Sequence, residues 1–379
     1  MYPKLLSFAA LVSAASAQSS GLAETLAGNQ QTSQLAGLVG TLPGITEQLS
    51  SLQNITLLAP SNAAIAALLN SSAGAGLASN PGLLQAVLTY HVLNGSYLAG
   101  DIPSTPAFVP SALVDPTYAN VTGGQRVEAI RSGSNVTFYS GLLANSSVTQ
   151  ANINYTGGVV HVIDRVLTLP QNVSTTLVSA GLSSLYGALN ATGLLGTVNG
   201  LQNVTIFAPA NSAFQSIGSA LANASTTDLQ SILTYHVHVG AEPLYSTSLS
   251  NGTSVPTLNG ASVTIHLGSN GDVFVNSAKV ITPNVLIAGG VVHVIDNVLN
   301  PNSTTSASPT ASTGSPAFTG ATSVSTAPFT AGVATPTETI GRAPANFTSN
   351  STSSAGAPLM TGALGLGTLF GAGAVLVNL

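Results

Sequence analysis

The chain has 379 residues, enough for two ordinary domains, and only 4% of them are charged, with six Lys+Arg against eleven Asp+Glu. So few basic residues exclude a nucleic-acid footprint, which needs clustered Lys and Arg to neutralise phosphates. The absence of cysteine excludes a disulfide framework and a thiol nucleophile, so each domain stands on its apolar core alone.

From the N-terminus, Met1 to Lys4 form a short basic region, Leu5–Val12 an apolar run, and Ala15, Ser16 and Ala17 a small-residue cleavage site. This pattern predicts a signal peptide over 1–17 and a mature chain beginning at Gln18. Two bodies follow. "TLLAPSNAAI" at 56–65 answers "TIFAPANSAF" at 205–214, "LTYHVLNG" at 88–95 answers "LTYHVHVG" at 233–240, and "GGVVHVIDRVL" at 157–167 answers "GGVVHVIDNVL" at 289–299. Three blocks recurring in one order make a tandem of homologous domains, placed at 20–168 and 172–299.

Within each copy, short strands are expected at 54–58 and 203–207, ended by Ala59-Pro60 and Ala208-Pro209. Ser61 or Asn62, and Asn211 or Ser212, can cap the helix that follows. A second helix starts at Asn80-Pro81 in one copy and at a capping box, Ser225 with Asp228, in the other. Leu84, Val87, Leu88 and His91 then recur at helical spacing, as do Leu229, Ile232, Leu233 and His236. Short β-prone runs separated by Gly, Asn and Ser turns come next, giving an α+β arrangement with helices first and strands later.

From Pro301 the chain turns to Ser, Thr, Pro, Ala and Gly without hydrophobic period, which predicts a disordered, O-glycosylated stalk over 301–357. An uncharged apolar tail, 358–379, follows small residues with no basic stop-transfer group after it. That is the pattern of a glycosylphosphatidylinositol (GPI) signal, with the tail removed and Asn350, Ser353 or Ser354 as attachment residue. Asn-x-Ser/Thr sequons fall at Asn54, Asn70, Asn94, Asn120, Asn135, Asn145, Asn154, Asn172, Asn190, Asn203, Asn223, Asn251, Asn302, Asn346 and Asn350. Glycans there would supply the hydration that the sparse charge does not.

At the three repeated blocks the chain resembles the fasciclin (FAS1) domain family. The block T-[VI]-F-A-P-[TS]-N-x-A-F is similar to 205–214, with Leu58 and Ile65 replacing two aromatics in the first copy, and the family's Tyr-His motif to Tyr90-His91 and Tyr235-His236. The block G-x-[VI]-H-x-[VI]-D-x-V-L is similar to 158–167 and 290–299. The resemblance implies domains built as a two-sheet β wedge or sandwich with packed helices. It also implies extracellular adhesion or matrix contact, often on a GPI anchor, and no general enzymatic activity. In animal members the Tyr-His region is associated with adhesion, which makes Tyr90, His91, Tyr235 and His236 candidate binding residues.

The residues themselves argue against catalysis. A run as apolar as Val159–Leu167 reads as a central strand, on which residues three apart point to opposite faces. His161 and Asp164, like His293 and Asp296, then cannot share a pocket, and the pairs are structural. His236 and His238 share a face if their segment is strand, but Leu93 replaces His238 in the first copy, so no metal site is expected and no cofactor. No G-x-S-x-G elbow, P-loop or Arg-Gly-Asp tripeptide occurs. The expected function is adhesion, or organisation of a cell wall or matrix, at the outer face of the plasma membrane. The partner would be a surface, matrix or wall component, protein or glycan, and a GPI lipid would hold the chain to the membrane. The alternatives are a carrier for a glycan or lipid and a wall-modifying hydrolase.

Overall fold

The computed structural model describes residues 20–335, apart from 304 and 309. The signal peptide, the GPI tail, the attachment candidates Asn350, Ser353 and Ser354, and the sequon at Asn346 lie outside the described residues.

Each copy opens with helices and closes with strands. The first runs α1 (Leu22–Gly28), α2 (Ser33–Gly40), α3 (Pro43–Ser51), β1 (Ile55–Pro60), α4 (Asn62–Leu69), α5 (Ser72–Ser79), α6 (Pro81–Tyr90), β2 (Val92–Asn94), β3 (Ala107–Pro110), β4 (Arg126–Ser132), β5 (Asn135–Tyr139), β6 (Asn145–Tyr155) and β7 (Gly158–Ile163). The second runs α7 (Val173–Ser179), α8 (Ser183–Ala191), α9 (Leu195–Asn199), β8 (Val204–Pro209), α10 (Asn211–Ser216), α11 (Gly218–Ala222), α12 (Thr226–Thr234), β9 (Val237–Val239), β10 (Ser254–Pro256), β11 (Ser262–Leu267), β12 (Val273–Val275), β13 (Ala278–Ile287) and β14 (Gly290–Ile295).

The wedge in each copy is one seven-stranded sheet folded on itself, ordered β2-β1-β7-β6-β5-β4-β3 and β10-β11-β12-β13-β14-β8-β9. In the first copy a bridge between Leu93 and Ser111 joins the two ends, so the sheet nearly closes. The long strand β6 makes the bend, pairing with β5 through 145–147 and with β7 through 148–155. Its register with β7 slips twice, and Asn152 sits there at φ 60; Asn284 takes φ 64 at the matching irregularity of β13.

The repeated Gly-Gly-Val-Val-His-Val-Ile-Asp block forms β7 and β14, each parallel to the first strand of its copy and antiparallel to the long bent one. Both are buried nearly throughout, as their apolar run predicts. The second glycine permits the parallel pairing. A Cβ at Gly158 would overlap the carbonyl oxygen of Ile55, and one at Gly290 that of Val204.

The helix caps divide. Asn80 caps α6 by accepting from the Leu83 amide, and Ser225 and Asp228 form the full capping box of α12. Ser61 caps α4, but Asn62 and Asn211 do not cap. Their Oδ1 atoms accept from the amides of Gln34 and Ser184, at 2.9 and 3.0 Å, and so tie α4 to α2 and α10 to α8.

The stalk expected from residue 301 does not begin there. The described residues between Ala307 and Phe329 run as a strap over the second copy. The amide of Gly314 donates to Asp296 Oδ2 at 2.7 Å, Val324 N to Gln215 O at 3.0 Å, and Thr322 N to Ser219 Oγ at 2.7 Å. Phe318, Ala321 and Phe329 pack on the core of that copy, with Phe329 edge-on to Phe214 at 6.4 Å. Composition alone predicts disorder because apolar residues are sparse, yet a few suffice where they meet a complementary face. Glycines make that face approachable: Val324 lies on Gly218 and the Phe329 carbonyl on Gly187.

Candidate functional site

The Tyr-His motif stands at the end of α6 and of α12, where the chain turns into β2 and β9. All four residues are buried: Tyr90 is 0% exposed, His91 2%, Tyr235 4% and His236 1%. The Tyr90 hydroxyl donates to Arg126 O at 2.9 Å, and burial pushes its pKa well above the usual phenol value. Tyr235 donates to Ser262 O at 3.0 Å and accepts from Asn276 Nδ2 at 3.0 Å. Each tyrosine thus ties a helix end to the strands beyond it.

The histidines bridge backbone groups. His91 Nδ1 donates to Val87 O at 2.7 Å, one turn back on its own helix, while Nε2 accepts from the Leu167 amide at 2.9 Å. His236 repeats this with Ile232 O at 2.8 Å and the Leu299 amide at 2.9 Å. His161 is reversed: Nε2 donates to Tyr97 O at 2.8 Å and Nδ1 accepts from Asn152 N at 3.2 Å. In His293, Nε2 donates to Leu244 O at 2.7 Å and Nδ1 faces the Asn284 amide at 3.4 Å. Each imidazole therefore holds one proton and points its bare nitrogen at an amide N–H, which fixes the neutral tautomer. Burial lowers the pKa of His91, His236 and His293 to about 4, against smaller opposing effects of their carbonyl partners, and it lowers that of His161 as well.

The acids three residues beyond the strand histidines work elsewhere. Asp164 Oδ1 accepts from Ser147 N at 2.7 Å, and Asp296 Oδ1 from Lys279 N at 2.8 Å, each pinning the start of the long bent strand. His161 is fully buried within β7, whereas Asp164 is exposed and lies one residue past its end, and the two engage different partners. His238 donates through Nδ1 to Pro256 O at 2.7 Å. Among the described residues no group of three His, Asp or Glu side chains is placed to hold a metal ion, and no helix is long and apolar enough to cross a membrane.

Sequence reasoning missed the joint between the two copies. Phe108 stacks on Tyr245 with centroids 4.2 Å apart and planes 14° off parallel, over Leu286 and Val291. Gln125 Nε2 donates to Ile287 O at 3.1 Å, and the Asn120 amide to Ala288 O at 2.6 Å. Asn203 is the keystone, only 5% exposed. Its Oδ1 accepts from Thr122 N at 2.9 Å, and its Nδ2 donates to Thr122 Oγ1 at 2.8 Å and Ala241 O at 2.7 Å. Asn120 and Asn203 are both sequon residues. A glycan on Asn203 would replace one of the two hydrogens that Nδ2 donates, so glycosylation at Asn203 would cost one of these two bonds. Its counterpart in the first copy, Asn54, is exposed.

A family profile described as "Fasciclin domain" matches residues 30–170 and 180–301. A "Fasciclin-like arabinogalactan protein" of Arthroderma benhamiae is 37% identical over 314 residues, covering 82% of this chain and 74% of that protein. "Fasciclin-like arabinogalactan protein CTB11" of Cercospora beticola is 29% identical over 314 residues, covering 81% of this chain and 83% of that protein. Among solved structures, a FAS1 domain pair from the insect cell adhesion molecule Fasciclin I aligns with a TM-score of 0.35 at 21% identity, over 72% of this chain and 98% of that one.

Proposed function

The chain belongs to the fasciclin family, with two copies of the domain, and from that premise we propose that it is an adhesion or wall-organising protein of the cell surface. The observation that carries this reading is the joint. The Phe108–Tyr245 stack and the Asn203 hydrogen bonds fasten the two domains into one body. A partner surface then meets both domains in one fixed arrangement, so weak contacts on each add through effective concentration. Contact is carried by the exterior of the domains. The Tyr-His motifs hold the fold, since their rings are buried and their polar atoms bonded to backbone. The four bridging histidines are engaged in the same way, which speaks against hydrolase chemistry at them.

Beads coated with the mature protein should attach to cells or isolated wall. The joint variant Phe108→Ala with Gln125→Ala, at equal coating density, should attach about ten-fold more weakly or worse, because the domains no longer act together. Equal attachment by a folded joint variant would remove the bivalent reading, and no attachment by the parent would remove adhesion.

Anchoring belongs to the same proposal and rests on residues 1–17 and 336–379. The protein is secreted, trimmed to Gln18, and held to the membrane by a GPI lipid near Asn350, Ser353 or Ser354, with residues beyond the strap spacing the domains from the bilayer. Phosphatidylinositol-specific phospholipase should release it from intact cells when the inositol is not acylated. A peptide spanning Val375–Leu379 recovered from the surface protein would disprove the anchor.

A further inference from the structure

The two copies differ in what covers the helical side of the sheet. The aligned blocks 56–65 and 205–214 make Ile65 the counterpart of Phe214 and Leu69 that of Gly218. The paired asparagine bonds to Gln34 and Ser184 make Gly37 the counterpart of Gly187. In the second copy Phe214 fills the space between helices and sheet, and the strap seals it, with Val324 on Gly218 and Phe329 on Gly187. In the first copy the smaller Ile65 leaves that space open, Leu69 is 59% exposed, and nothing lies within 4 Å of a Cβ placed on Gly37.

The result is a cleft of about 180 Å³, with Leu38, Leu57, Ile65, Leu68, Leu84 and Val87 among its walls. No charged residue lines it. Its one ionisable lining residue, His91, has both ring nitrogens engaged by backbone groups. A molecule entering the cleft finds no polar partner there, so the part that enters must itself be apolar. A segment like the strap does not fit. Leu69 stands where Val324 lies against Gly218, and Ala66 replaces Gln215, whose side chain bonds Ser325 O. An extended peptide would also bring its amides against walls that cannot satisfy them. A hydrocarbon chain has neither problem.

We propose that the first domain binds a single aliphatic chain, of a fatty acid or a lipid acyl group, in the cleft beneath α2, α4 and α6, with the polar end of the ligand at the mouth. The second domain has the same framework closed by Phe214 and the strap. This assigns the two domains different work, one for the ligand and one for holding the C-terminal segment, and goes beyond the surface role above.

The test uses the mature two-domain protein with its strap. Titration with cis-parinaric acid, below its micelle concentration, should give saturable binding of one equivalent, displaced by oleic acid. Ile65→Phe installs the residue of the second copy and should weaken binding by about ten-fold or more. Gly37→Leu is the second variant. It adds a side chain at the counterpart of Gly187, the position the strap covers in the second copy, where open space surrounds the helix, so folding should be preserved, and binding should fall as well. Flotation with neutral phosphatidylcholine vesicles distinguishes the sources: flotation that Ile65→Phe abolishes assigns the chain to a bilayer lipid, and binding of monomeric fatty acid without flotation assigns it to a free acid. Non-saturable uptake, or binding undiminished in both variants, would overturn the proposal. So would displacement of the probe by a peptide of residues 314–333 as potently as by oleic acid, which would reassign the cleft to a protein segment.

Discussion

Lowering the pH from 7 to 4 should strip most of the stability from both domains, and the histidines set the window. Unfolded, a histidine titrates near 6.5; folded, His91, His236 and His293 titrate at about 4, with His161 also lowered. Between those values the unfolded chain binds protons that the folded chain refuses, so stability rises with pH across the window. The contribution is whole above about 6.5, falls as the pH drops, and is exhausted once the folded-state value is passed. A fully expressed shift of this size is worth roughly 3 kcal/mol per histidine, against a typical domain stability of about 5–15 kcal/mol. The geometry gives the cause: a second proton on any of these rings would point at an amide N–H that already donates to it. Urea midpoints measured at intervals from pH 7.5 to 4 check this. A flat profile over that range would show that the rings accept the proton without cost, and the bridging account would fail.

The strands and cores were legible because they depend on local pattern. The spacing of Leu84, Val87, Leu88 and His91 marked one helix face, and all four line the same cleft. Asp164 lies just past the end of β7, where strand alternation no longer applies, yet it and His161 bond different partners. The partners of the histidines were not legible, because they are backbone atoms far away in sequence, such as Tyr97 O for His161. One signal was present: an asparagine stands nine residues before the strand histidine in both copies, and Asn152 and Asn284 prove to be the left-handed residues that offer their amides. The joint left no such trace. Asn203 and Asn54 are equivalent in the repeat, and only contact with the neighbouring domain makes one a keystone and the other a surface residue. The strap was hidden for a related reason, since Ser/Thr/Pro composition records the average of a segment and not the few positions where Phe318, Val324 and Phe329 meet a prepared face.

Replacing Tyr90 and Tyr235 by alanine should unfold the protein, and attachment should disappear with the fold. Each ring is buried in its own core cluster, and truncating a buried aromatic side chain to alanine typically costs about 3–5 kcal/mol through lost transfer energy and the cavity left behind. The hydroxyls add to this, because Arg126 O loses its partner in one domain, and Ser262 O and Asn276 Nδ2 theirs in the other. Loss of attachment in that variant therefore says nothing about direct contact. The pair Tyr90→Phe and Tyr235→Phe separates the two roles. It keeps the rings and removes the hydroxyls, at a cost of about 1–3 kcal/mol for each buried group left unmet, so both domains should remain folded with lowered midpoints. Bead attachment should survive, because hydroxyls bonded to backbone inside the domain are not presented to a partner. A folded double phenylalanine variant that no longer attached would show that the tyrosine hydroxyls reach a partner after all, in a conformation that opens the end of α6 and α12, and would return the Tyr-His motif to the contact surface.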